Sequence, residues 1–218
     1  MTEHNNGQEQ GGRRLSKAEA ARKESFIKLS AELEKQGYRR ENLTVSAVKA
    51  NLLGIVAGII PGVPFAVVYL IVTHGVIAEV HQIWYMLFLP VFLASVVIHE
   101  LLHGIGWSIY AEGHFKSIAF GVIWQMLTPY CTCKVPLRKG HYITGLLLPA
   151  VILGIIPCIL ACIFGSIELL FFGGLMLICA GGDLLIFVLI LRTKLNGDVL
   201  FLDHPTDIGL VAFFRENK

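Results

Sequence analysis

Two stretches of this chain contain no lysine or arginine: Ala50 to Phe115 and His141 to Leu191. Runs of that length without a basic residue are rare in soluble domains and ordinary in bilayers. A hydrocarbon core about 30 Å thick asks for about 20 consecutive apolar residues per helix. Four apolar segments meet that length, at about 47–73, 83–110, 142–164 and 167–192. The expected fold class is therefore an all-α integral membrane protein with four transmembrane helices. Composition agrees: 55% of the 218 residues are hydrophobic and 16% are charged. A formal net charge of +2 offers no bulk attraction to nucleic acid, and no nucleic-acid partner is expected.

The basic residues set the orientation. They lie in the N-terminal region, in 116–139 and from Arg192 onward. Four spans put all three regions on one side, and the positive-inside rule makes that side the cytoplasm. Both termini are then cytoplasmic, and the connections at 74–82 and 165–166 face outward. Pro61, Pro64, Pro90, Pro149 and Pro157 fall inside the spans, where packed neighbours tolerate kinks. Gly173-Gly174 and Gly181-Gly182 let another backbone approach the fourth span.

Outside the spans the chain divides into a polar leader, 1–42, and a cytosolic tail, 193–218, flanking the membrane domain, 43–192. Residues 1–15 are polar, and nothing there reads as a cleaved signal peptide. Ser16 to Glu19 has the form of a capping box, so a helix is expected to start there. Phe26, Leu29 and Leu33 follow at helical spacing, and Gly37 can end the helix, which lies on the membrane surface, packs on the folded body or stands as a solvated leader. Between the second and third spans, the β-favouring runs 117–124 and 129–135 predict a hairpin-like segment at the cytoplasmic face. In the tail, "NGDVLFLDHP" predicts a turn, a short strand and a break at Pro205. The five cysteines, among them Cys131 and Cys133, are expected to be reduced thiols.

The second span ends in "VVIHELLHGIGW", in which His99, Glu100 and His103 form H-E-x-x-H. Residues four apart share a helix face, so both imidazoles can reach one metal ion. Glu100 points to a neighbouring angle, where it can accept a proton without being a ligand. A charged side chain at mid-membrane costs about 2.5–3.5 kcal/mol, so an acid there calls for a reason. A catalytic zinc usually takes three protein ligands. Depth selects the third: His99 lies sixteen residues after Ile83 and Asp183 sixteen after Ile167, and both spans run from outside to inside. At 1.5 Å per residue both groups sit about 24 Å from the outer face. Asp183 is the expected third ligand, the alternatives for it being a structural acid or a proton-relay group. His74 and His81 lie a membrane thickness away, and His114 and His204 fall in loops. His141 opens the third span as an interfacial or substrate-contacting histidine, and Asp198 lies too far into the cytosol.

The stretches "HELLHGIGW", "TPYCTCKVPL", "HYITGLLLP", "GGDLLI" and "DHP" run in this order over about residues 43–210. In them the chain resembles a zincin peptidase family of small bacterial membrane proteins, a domain of unknown function. That family is in turn similar to the site-2 proteases, which cut substrates in or near the membrane. The resemblance implies a multi-pass protein of the bacterial plasma membrane, with His99, His103 and Asp183 as Zn2+ ligands and Glu100 as general base. "AGGDLL" stands where site-2 proteases carry an Asn/Pro-containing or Leu-Asp-Gly motif.

The function expected is an intramembrane zinc metalloprotease acting on a membrane protein or peptide on the cytoplasmic side of the bilayer. Two other classes are a non-proteolytic zinc-binding sensor or scaffold, which does not need Glu100, and a proton-coupled carrier, which does not need metal. Carrier-type internal repeats are not evident in the sequence.

Overall fold

The computed structural model describes residues 17–77, 79–123 and 128–215. Helix α1, Lys17–Lys35, is closed by Gly37, whose φ of +88° suits a residue without a side chain. The capping-box residue Ser16 lies outside the described residues. Among the described residues, three helical stretches are long and apolar enough to cross a membrane: α2 within Val48–Val72, α3 at Gln82–Ser108, and Lys139–Phe164. The third is continuous but not uniform. It runs as α4, Lys139–Pro149, a π-helical stretch, Ala150–Ile155, and α5, Ile156–Phe164. The wide turn falls between Pro149 and Pro157, where the ladder of helical hydrogen bonds is already interrupted.

The fourth segment departs from the unbroken helix expected over 167–192. It forms α6, Ile167–Cys179, and α7, Gly181–Arg192, bent by 54° at Ala180. The bend lies where α7 meets α2. A Cβ built on Gly181 would stand 2.0 Å from the Gly54 carbonyl oxygen. Asp183 consequently occupies the first turn of a new helix rather than the middle of a long one.

The all-α expectation also needs correction, because the polar ends of the chain build a sheet. Strands β1, Arg39–Val45, β4, Leu137–Arg138, β5, Asp198–Asp203, and β6, Ile208–Arg215, form an antiparallel sheet in the order β1-β6-β5-β4. Leu43 faces Leu210, and Leu202 faces Val211. β6 is buried on both faces. Leu210 and Ala212 pack with Trp107, Tyr142, Ile190 and Phe201 against the helices. Val211 and Phe213 pack with Leu33, Tyr38 and Leu202 beneath α1. Each buried Val, Leu, Ile or Phe among them contributes about 1.5–3 kcal/mol. The leader helix thus packs on the folded body, with Phe26, Leu29 and Leu33 as its inner stripe.

The expected hairpin is present as β2, Ile118–Ile123, and β3, Thr128–Cys133, paired antiparallel with Phe120 opposite Cys131. The Phe120 ring rests where α3 carries Gly104. At the other end of the helices, the two short connections meet. The His81 amide donates to Glu168 Oε1 at 3.0 Å, and the Tyr69 hydroxyl donates to the Gly165 carbonyl at 3.1 Å.

Candidate metal centre

The site is built on α3 first. One helical turn separates His99 from His103, and their Nε2 atoms stand 3.2 Å apart. Both residues are buried. Asp183, in the first turn of α7, closes the group. Its Oδ2 lies 3.1 Å from His99 Nε2, and its Oδ1 lies 3.4 Å from His103 Nε2. The three ligand atoms fall within 4.8 Å of one another. The bend at Ala180 turns α7 so that its opening acid meets the imidazoles.

His103 is oriented from behind. Its Nδ1 lies 2.9 Å from the Gly145 carbonyl of α4. A ring nitrogen facing a carbonyl carries a proton, so the neutral form of this ring presents Nε2 as a lone pair to the cluster. The Trp107 ring stacks on His103 at 5.2 Å between centroids and an interplanar angle of 14°. Trp107 Nε1 in turn donates to the Tyr142 carbonyl at 2.9 Å. α3 and α4 approach closely here because both contribute glycine. A Cβ on Gly145 would lie 2.1 Å from Trp107 Cδ1, and one on Gly106 would lie 2.6 Å from Gly145 Cα.

These donors fit a divalent cation. Two neutral imidazoles and one carboxylate are a donor set that zinc accepts. His103 Nε2 faces a carboxylate oxygen at 3.4 Å, an arrangement that asks for a positive charge between them, carried either by a proton on the ring or by a bound cation. Among the described residues the buried His99 Nδ1 has no hydrogen-bond partner, so no such bond explains that ring's placement.

Glu100 is partly exposed and points toward the hairpin, where the Cys131 backbone amide donates to its carboxylate. His99, Glu100, His103 and Asp183, the four residues singled out from the sequence, are therefore neighbours in space. The other histidines among the described residues are elsewhere. His141 stacks on Tyr110, His114 faces the Ser108 carbonyl, and His81 pairs with Glu168 at the far end of the helices. Asp198 bonds Tyr38 and faces Arg215 on the sheet. Burial pushes the Cys131 thiol well above its ordinary range and Cys133 up to about 11, so both are poor nucleophiles. Sequence reasoning missed Gly145 and Tyr142, which buttress His103, and Asp203, which bonds Tyr142. The quoted stretches "HYITG" and "DHP" contain them, but no spacing rule links the two.

Residues 92–196 match the model of a family described as "Putative zincin peptidase". No curated protein and no solved structure gives a significant match to the chain.

Proposed function

We propose that this chain, whose residues 92–196 match the model of that zincin peptidase family, is a zinc-dependent endopeptidase working inside the bacterial plasma membrane. The observation that carries the reading is the meeting of His99, His103 and Asp183 beside Glu100, among helices apolar enough to span a bilayer. His99, His103 and Asp183 would hold the ion. When bound, zinc supplies Lewis-acid polarisation of the scissile carbonyl and lowers the pKa of water. Glu100 takes the proton of the attacking water on its carboxylate and delivers it to the leaving amine nitrogen. The Gly145 carbonyl keeps His103 in the tautomer that presents Nε2. Trp107 shields the rear of the site from water.

The sheet, the hairpin and the metal group lie toward the same end of the helices, the end to which the basic residues assign the cytoplasm. Cleavage therefore falls in the inner part of a substrate span or just inside the cytosol. An extended substrate pairs with the hairpin by strand addition. Register decides which edge. The Lys134 amide donates to the Ser117 carbonyl, so the hydrogen-bonded pairs alternate from there; the amides of 120 and 122 on β2 and of 131 and 133 on β3 point outward, while the Ile118 amide is taken by the Phe115 carbonyl. Asp203 takes the Cys133 amide, and Pro129 has none to offer. The edge of β2 is the one left for a substrate. Val122→Pro should lower cleavage with zinc still bound, and unchanged cleavage discards the strand-addition step.

The decisive experiment for the enzyme reading compares purified wild type with Glu100→Gln and His99→Ala. A peptidase loses turnover in Glu100→Gln while keeping stoichiometric zinc, and loses zinc in His99→Ala. A sensor or scaffold keeps its function in Glu100→Gln.

A further inference from the structure

Asp203 lies at the end of β5, outside the family-matched segment, and its carboxylate joins three elements. Oδ1 accepts from the Tyr142 hydroxyl of α4 at 2.5 Å. Oδ2 accepts from the Cys133 amide of β3 at 2.9 Å. The Tyr142 side chain is fully buried, so its hydroxyl has no water to fall back on. From Tyr142 two short paths lead to the metal group. Its own carbonyl holds Trp107, which stacks on His103. One helical turn further along α4, the Gly145 carbonyl bonds His103 Nδ1. From Cys133 the path runs two residues back along β3 to Cys131, whose amide faces Glu100.

We propose that Asp203 is a positioning residue for the metal centre. By pinning α4 and β3 to the cytosolic sheet, it sets the His103 imidazole on one side and the Glu100 carboxylate on the other. The inference rests on the metallopeptidase reading and extends it to the C-terminal strands, which become part of the catalytic apparatus. What matters in this role is the pair of hydrogen bonds, not the negative charge. Asparagine can keep both, its carbonyl accepting from the Cys133 amide and its NH2 donating to the Tyr142 hydroxyl oxygen. Leucine keeps the volume and neither bond.

The test uses full-length protein in detergent or nanodiscs, titrated with cobalt(II), whose visible absorption reports ligand geometry, and with zinc in competition. Partners that orient a ligand typically change metal affinity by about 10–100-fold. Asp203→Leu and Tyr142→Phe should each weaken zinc binding by about tenfold and shift the cobalt band, while Asp203→Asn stays within about twofold of wild type. Tyr142→Phe removes a single hydroxyl from a packed ring and stays informative if Asp203→Leu fails to fold. A wild-type spectrum and affinity in Tyr142→Phe overturn the proposal, as does an Asp203→Asn that behaves like Asp203→Leu. If wild type itself binds neither ion, the metallopeptidase reading falls, and this inference falls with it.

Discussion

Gly181→Ala is the sharpest test of how the centre is assembled, because its neighbour Gly182 provides the control. A Cβ at 181 would stand 2.0 Å from the Gly54 carbonyl oxygen and 2.6 Å from the Gly54 carbonyl carbon, both backbone atoms of α2. No rotamer change relieves that contact. Reaching even the 3.0 Å floor of real contacts requires α7 to retreat from α2 by about 1 Å, starting two residues before Asp183. Overpacking of this kind costs typically about 1–3 kcal/mol. The larger consequence is geometric. Asp183 is held 3.1 Å from His99 and 3.4 Å from His103, and a 1 Å displacement is a third of those distances. Misplacements of that size cost up to about 100-fold in rate. At Gly182 a Cβ would meet nothing within 4 Å, and alanine there should be neutral or stabilising, since helical glycine is about 1 kcal/mol worse than alanine. The assay is zinc affinity by chelator competition, run beside peptide cleavage and thermal unfolding. Gly181→Ala should lose affinity and turnover, and Gly182→Ala neither. Equal behaviour of the two variants refutes the idea that the α2–α7 crossing sets the position of Asp183.

Three further outcomes follow from the same structure. A zinc chelator should abolish cleavage, and added zinc should restore it where calcium, which prefers six to eight oxygen ligands, does not; recovery of turnover in each arm reads this directly. Leu210→Ala, at a fully buried position between the sheet and the helices, should destabilise the protein by about 2–5 kcal/mol, measured as a fall in unfolding temperature. The hydrogen bond from the Tyr38 hydroxyl to Asp198, with burial and the Asp198 charge behind it, raises the phenol above its ordinary value of 10.0. A raised folded-state value means stability fully present below about pH 10 and lost as the pH rises through the folded pKa. Asp198→Asn should therefore move the phenolate absorbance transition to lower pH and flatten the alkaline loss of stability; an unmoved transition counts against the bond.

What the sequence made legible is set by locality. H-E-x-x-H needs only the helical repeat, and the link to Asp183 needed only that two spans run in the same direction with sixteen residues before each group. The meeting of His99 and Asp183 at 3.1 Å follows from that depth rule and a close helix crossing. The hairpin was visible because both of its strands lie within one short segment. The four-stranded sheet was not, although β5 was, because β1 and β6 pair residues as far apart as Arg39 and Phe214. "RRENLTV" is polar through its first half, and "IGLVAFFR" shows no alternation, since both of its faces are covered. A continuous apolar run in an otherwise polar tail was the available signal, and such a run suits a strand buried on both sides. The break at Ala180 was hidden for a different reason: an apolar segment of 26 residues satisfies the length rule whether it is straight or bent. The bend is also where the site gains its acid. A straight continuation of α6 would direct residue 183 along a different axis, by the 54° that now separates α6 from α7. The paired glycines marked the place where helices touch, and the contact decides which way the chain leaves it.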